Sequence, residues 1–210
     1  MNRKEKETSP PWHRLGDERL AAQIDFIVRI DRLKSVARQT QLIDRSRREN
    51  SAEHSWHLAL MALLLTEYAR EPVDGVRVMK MVLAHDLVEI DAGDTFCYDE
   101  DGRQGQHARE LAAAERIFAL LPDDQAAELR ALWDEFEARR TPEARFAVAL
   151  DRLQPLFNNY LTRGGTWREH DVVRSQVRRR TAPIADGSPQ LAEVAAAVIA
   201  AAVEEGYLKA

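Results

Sequence analysis

Four residues that are costly to bury, His54, His85, Asp86 and Asp151, sit in stretches whose apolar neighbours recur at helical spacing. An unpartnered imidazole or carboxylate in such a stripe carries a desolvation cost that the fold must offset. Two imidazoles and two carboxylates on three helices can share one divalent cation, which would offset it. Nitrogen and oxygen donors without a thiolate suit Mn, Co, Zn, Fe or Mg rather than a soft-metal site. Adjacent helical side chains diverge by about 100°, so His85 and Asp86 can both reach an ion lodged against their face. Glu89 lies one turn further on and faces the same space.

The helical spacing extends over most of the chain and predicts an all-α fold. Met1 to Gly16 is polar, contains Pro10-Pro11 and reads as a lead-in. Asp17 is placed to cap a first helix through Leu20, Ile24, Ile27, Val28 and Ile30 to about Val36. Gln39 to Asn50 reads as an arginine-rich connector. A second helix starts at Ser51, carries His54, Leu58, Met61 and Leu65 on one stripe, and closes before Pro72. A third is expected from Val73 or Asp74 to Ile90, and Thr95 to Gln106, with Gly102 and Gly105, reads as a loop. Helices follow at about 107–120 and 123–138. Thr141-Pro142 is a good start for the helix that carries Asp151. Gly164-Gly165 ends that helix, 183–189 reads as a loop, and an alanine-rich helix runs to Glu205. No strand-like alternation of useful length is evident.

Composition narrows the function classes. With 31% charged and 45% hydrophobic residues, the chain is ordinary for a soluble globular protein. A net charge of −5 speaks against nucleic acid or an anionic membrane as partner. No apolar run approaches the roughly 20 residues of a membrane span. Cys97 stands alone, so no internal disulfide forms, and with no apolar leader in view the expected compartment is the cytoplasm.

The other histidines have simpler readings. His57 follows His54 by three residues and fits a core position better than a ligand. His107 fits an exposed helix start, and His13 and His170 have no supporting context. Arg45, Arg47 and Arg48, like the basic stretch 174–180, read as solvated faces.

Taken together, His54, the pair His85-Asp86 and Asp151 match the H…HD…D pattern of the HD-domain metal-dependent phosphohydrolases. The string Arg48-Glu49-Asn50-Ser51-Ala52-Glu53-His54-Ser55, followed by His85-Asp86-x-x-Glu89-x-x-x-Gly93-Asp94, resembles the 5′-deoxynucleotidase-like branch. The segment Gly164-Gly165-Thr166-Trp167-Arg168-Glu169-His170, with Gly187-Ser188-Pro189, is similar to bacterial members of that superfamily. The resemblance implies a single HD-domain helical bundle over 17–210, holding one divalent metal ion through His54, His85, Asp86 and Asp151. It implies hydrolysis of a small-molecule phosphomonoester, a 5′-(deoxy)nucleoside monophosphate. Glu89 would orient or deprotonate the attacking water, with Asp94 beside it. Arg38, which follows Arg32-Leu33-Lys34, would contact the phosphate.

Two departures bear on the nucleoside. Gln39 stands where the characterised bacterial enzyme has an aromatic residue, and Thr95-Phe96-Cys97 replaces a Pro-Thr-Pro stretch. Base stacking is therefore expected to be weaker. The alternatives are a metal-stabilised nucleotide-binding or regulatory module without turnover, and an HD-type di-iron oxygenase. The latter needs further ligands, for which only His57 and His107 are spare. A homodimer is expected, with Phe157, Tyr160, Leu161, Trp167 and the small residues of Leu191 to Val203 offering apolar surface to a second subunit.

Overall fold

The computed structural model describes residues 9–99 and 104–210, and the protein is predominantly helical. Residues Pro11–Leu15 form a short 3-10 turn whose Trp12 and His13 side chains both bond the Asp25 carboxylate, tying the described part of the lead-in to the first helix. Residues 1–8 and 100–103, including Gly102 of the expected loop, lie outside the described residues.

Helix α1 spans Glu18–Ile30, and Asp17 caps it by accepting from the Leu20 amide. It stops short of Val36 because the chain tightens into a 3-10 turn at Asp31–Ser35. Ile27 and Val28, expected on the inner face, are exposed, and Ala21 and Phe26 are buried instead. The connector also differs from expectation. It is an antiparallel hairpin of β1, Ala37–Gln41, and β2, Arg48–Asn50. Its inward positions carry polar residues, Thr40 and Glu49, so the apolar alternation that signals a strand is missing.

Helix α2, Ser51–Leu65, begins one residue after its true cap. The Asn50 side chain accepts from the Glu53 amide, and the Glu53 carboxylate accepts from the Asn50 amide, a reciprocal capping box. Helix α3, Gly75–Ala84, starts at Asp74, whose carboxylate accepts from the Val76 and Arg77 amides. The expected run to Ile90 is interrupted. Between His85 and Val88 the chain tightens, with bonds from Leu87 to Ala84, Glu89 to Asp86 and Ile90 to Leu87, before the short helix α4, Glu89–Ala92.

Helices α5, Gln106–Phe118, and α6, Asp123–Ala138, follow as expected. Helix α7, Pro142–Leu161, starts at the Thr141 cap with proline at its first position. Its residues are buried along most of its length, and α2, α3 and α6 pack around it. Beyond it come α8, Gly165–Glu169, α9, Arg174–Thr181, α10, Ile184–Gly187, and α11, Pro189–Glu204. Helix α10 falls where a loop was expected. It packs closely on α7, since a Cβ at Gly187 would lie 2.4 Å from the Arg145 carbonyl oxygen.

One core gathers Leu58, Met81, Val82, Phe146, Leu150, Leu153, Trp167 and Ile199 around α7. A second gathers Phe26, Leu33, Leu87, Val88, Ile117, Phe118 and Trp133 around α5. Of the expected subunit surface, Trp167, Leu191, Ala195, Ile199 and Ala202 are buried in the first core, while Phe157 and Tyr160 are half-buried and Leu161, Val194, Ala196, Ala197 and Ala200 are exposed. The larger exposed apolar stripe lies on the outer face of α2, at Trp56, Leu60, Leu63 and Leu64. No helix among the described residues is long and apolar enough to cross a membrane.

Because the Asn50–Glu53 capping box starts α2 one turn before His54, Asn50→Ala should cost about 1 kcal/mol of stability. Denaturant unfolding checks this, and an unchanged midpoint would show that the box contributes nothing.

Candidate functional site

The hairpin, α2, the tightened segment after α3 and the middle of α7 converge on one buried polar cluster. His54 is fully buried on α2, and its Nε2 lies 3.1 Å from Asp151 Oδ1 on α7. His85 Nε2 lies 3.0 Å from Asp86 Oδ1 and 4.0 Å from Asp151 Oδ1. Potential ligand atoms of His54, His85 and Asp86 all fall within 4.8 Å of one another, and the two imidazole centroids are 5.6 Å apart. Donors held about 2.1 Å from a common ion lie roughly 3–4 Å from each other, which is the spacing found here. His85 Nε2 is buried with no hydrogen-bond partner. An orphaned nitrogen facing two carboxylates is the fit expected of a cation ligand, and the cluster is capable of binding a metal ion.

The tightened segment explains how three groups share this space. Through the i→i−3 bonds after Ala84, His85, Asp86 and Glu89 are all buried at the mouth of the same cluster. Ser51, the first residue of α2, donates to Glu89 Oε2 at 2.6 Å.

Arg38, on β1, is half-buried among carboxylates. Its Nη1 donates to Asp86 Oδ2 at 3.1 Å and lies 3.9 Å from Asp94 Oδ1, and its Nε is 3.4 Å from Glu49 Oε1. Burial alone would lower its pKa, but the charges of Asp86, Glu89 and Asp94 raise it, so the guanidinium stays charged. Arg152 Nη1 contacts Asp151 Oδ2 at 2.9 Å.

The carboxylates divide into two groups. Burial pushes Asp86 and Asp151 up, but neighbouring cationic groups win. His85 and Arg38 hold Asp86 at about 2, and Arg152 and His54 hold Asp151 well below the usual range. For Glu89, burial and then the charge of Asp86 act together and raise its pKa well above the ordinary value. Asp94 is raised for the same two reasons, against the pull of Arg38. Two acids are thus held ionised beside the histidines, and two others sit nearer to protonation.

The cluster opens onto a cavity of about 320 Å³ lined by Arg38, Glu89, Asp94, Phe96, His107 and Arg152, among others. Pockets of that size take small molecules. Every residue singled out in the sequence as ligand, base or phosphate contact is found at this one place. His57 is not; its ring lies beside Trp56. His107 is exposed and groups with Glu110 and Glu137 on the wall of the same cavity. Neither His57 nor His107 belongs to the buried group of His54, His85 and Asp86. His170 stacks on Phe96 at 4.4 Å, and the arginines of the hairpin pair with surface acids, Arg47 with Glu53 and Arg48 with Glu169.

The sequence reasoning missed four members of the site. Gln154 bonds His54 Nδ1, and Glu49 bonds Gln154, while Ser51 holds Glu89 and Arg152 holds Asp151. Gln154 carried a usable signal: it lies three residues after Asp151 in the same apolar helix, where an uncompensated amide is costly. Glu49 and Ser51 stand in the string that carries the family resemblance, but nothing in their polar surroundings assigns them a role.

The 5′-deoxynucleotidase HDDC2 of Homo sapiens is 30% identical over 132 residues, and the alignment covers 62% of this chain and 63% of the human protein. The Xenopus laevis protein of the same name is 32% identical over 132 residues, covering 62% and 64%. The chain thus spans under two thirds of the length of these relatives. A crystal structure of a predicted metal-dependent phosphohydrolase from Magnetospirillum magnetotacticum is 56% identical, with a TM-score of 0.89 and coverage of 93% of this chain and 98% of that one. A conserved hypothetical protein from Pyrococcus furiosus shares the fold alone, at 22% identity and a TM-score of 0.55, with coverage of 78% and 97%. The family model described as HD domain matches residues 30–192, a span that runs through the whole cluster from Arg38 to Asp151, and the chain belongs to that family.

Proposed function

We propose that the protein is a metal-dependent phosphohydrolase that cleaves 5′-(deoxy)nucleoside monophosphates to nucleoside and phosphate. The observation that carries this reading is the buried pair of imidazoles and pair of ionised aspartates opening onto a cavity that also holds Arg38 and Glu89. The names of the human and Magnetospirillum relatives support the reaction class, and the human one supports the substrate.

His54, His85, Asp86 and Asp151 would hold the cation; its identity among Mn, Co, Zn, Fe and Mg is open. When bound, such an ion polarises a phosphoryl oxygen and makes water more acidic. The chain's own groups supply the rest. Arg38 offers a permanently charged donor to the phosphate oxygens. Glu89, oriented by the Ser51 hydroxyl, accepts the proton from the water that attacks phosphorus as the bond to the 5′ oxygen breaks, and the proton then passes to that departing oxygen. A carboxyl whose pKa is raised by burial is a better acceptor near neutral pH than an ordinary glutamate. It must be ionised to act, so turnover should fall as pH drops through that raised value. Asp94 lies beside Arg38 and helps hold it. A regulatory module without turnover would need none of this proton-accepting arrangement.

The test is a phosphatase screen over a nucleotide panel, using apo-protein reloaded with Mn, Co, Zn or Mg in turn. The parent should release phosphate from 5′-monophosphates. Glu89→Gln should keep the metal and lose about 10²–10⁴-fold in kcat, and Arg38→Ala should raise KM. Hydrolysis by Glu89→Gln at the parental rate would make Glu89 structural. No hydrolysis of any monophosphate with any metal would overturn the nucleotidase reading.

We propose further that the protein works as a cytoplasmic homodimer. Helix α2 is apolar on its inner face, at Leu58, Met61 and Ala62, and on its outer face, at Trp56, Leu60, Leu63 and Leu64. A helix apolar all round is normally buried on all sides, and a second copy of the chain would cover the outer stripe. Light scattering should return twice the monomer mass for the parent and the monomer mass for Leu63→Glu. A parental mass near 23.9 kDa would contradict the dimer.

A further inference from the structure

The two imidazoles of the cluster are oriented by different means. His85 Nδ1 lies 2.8 Å from the Val82 carbonyl oxygen, an acceptor that belongs to the backbone and is fixed by the fold. His54 Nδ1 lies 3.0 Å from Gln154 Oε1, a side-chain acceptor that could in principle turn over. Gln154 Nε2 donates to Glu49 Oε2 at 3.0 Å. A carboxylate only accepts, so the amide NH₂ must face Glu49 and the amide oxygen must face His54. An amide oxygen also only accepts, so His54 Nδ1 carries the proton it shares with Gln154. Nε2 is then the nitrogen left to meet a cation, on the side where Asp151 Oδ1 sits 3.1 Å away.

The same Glu49 faces the opposite wall of the site. Its Oε1 forms an ion pair with Arg38 Nε at 3.4 Å, without a hydrogen bond, and Arg38 Nη1 bonds Asp86. Side chains therefore run from His54 through Gln154, Glu49 and the half-buried Arg38 to Asp86, with Gln154 at 1% and Glu49 at 2% exposure. Gln154 touches only the histidine branch of this chain of contacts. Glu49 touches both branches.

We propose that Glu49 is a positioning residue with two targets. Through the Gln154 amide it fixes the His54 tautomer that presents Nε2 to a cation, and directly it fixes the Arg38 guanidinium. The proposal rests on the metal reading above. Orienting partners of metal-ligating histidines, when removed, typically cost about 10- to 100-fold in metal affinity.

The experiment combines histidine ring ¹⁵N spectra of the apo-protein with Mn²⁺ titration, and with inorganic phosphate binding at saturating Mn²⁺. In the parent, His54 Nδ1 should carry a proton. Gln154→Met should lower Mn²⁺ affinity by about 10- to 100-fold and leave phosphate affinity unchanged once metal is saturating. Glu49→Gln should lower both affinities, because it frees the Gln154 amide and releases Arg38 together. A parental His54 in the Nε2–H form overturns the proposal, and that measurement stands even if a variant fails to fold. Folded variants that bind Mn²⁺ as tightly as the parent also overturn it. If neither Mn²⁺ nor Zn²⁺ binds the parent at all, the metal reading itself falls and takes the proposal with it, a result distinct from normal parental binding with unaffected variants.

Discussion

An excess of buried negative charge governs this structure. Glu49, Asp86, Glu89, Asp94 and Asp151 converge within one polar cluster, and the guanidiniums facing them are Arg38 and Arg152. Fully ionised, the five carboxylates outnumber the guanidiniums by three, and burial makes each unbalanced charge expensive. Burial and mutual repulsion push the pKa of Glu89 and Asp94 upward, while Asp86 and Asp151, next to the histidines and arginines, are held low. A divalent cation between the imidazoles would offset two of the three surplus charges. It would also use the buried Nε2 of His85, which lacks a hydrogen-bond partner. Hydrophobic packing alone would not select such an arrangement. Sites that break the usual rules of burial are where function is expected.

The scaffold is arranged to hold that charge. Helix α7 brings Asp151 and Gln154 to the two ring nitrogens of one imidazole, because residues three apart share a side of a helix. The tightening after Ala84 gathers His85, Asp86 and Glu89. The small hairpin places Arg38 and Glu49 on paired strands, with their side chains inside. It contributes little apolar burial. Its part in the fold is to deliver a cation and its counter-charge to the site.

Much of this was legible in the sequence, for identifiable reasons. A histidine or aspartate in an apolar helical stripe stands out against its neighbours, which is how His54, His85, Asp86 and Asp151 were found. Thr141-Pro142 announced the start of α7, and 123–138 formed a helix over the expected span. The hairpin was not legible, because its inward residues are polar and leave no apolar alternation. The interruption at 85–88 was hidden because the apolar spacing of α3 continues through it. Ile27 and Val28 misled because α1 has apolar residues on more than one side, and periodicity alone does not say which side faces the core. Glu49 meets Gln154, distant in the chain, and Arg38 on the paired strand, so the string that includes it does not reveal what it touches.

The central claim is that one cation completes this cluster. A crystal of metal-loaded protein, measured at the absorption edge of Mn or Zn, tests it most directly. The account predicts one anomalous peak about 2.0–2.2 Å from His54 Nε2 and His85 Nε2, with Asp86 and Asp151 oxygens completing the set. Metal found only at the exposed group of His107, Glu110 and Glu137, or no ordered metal between the two buried imidazoles, would contradict it.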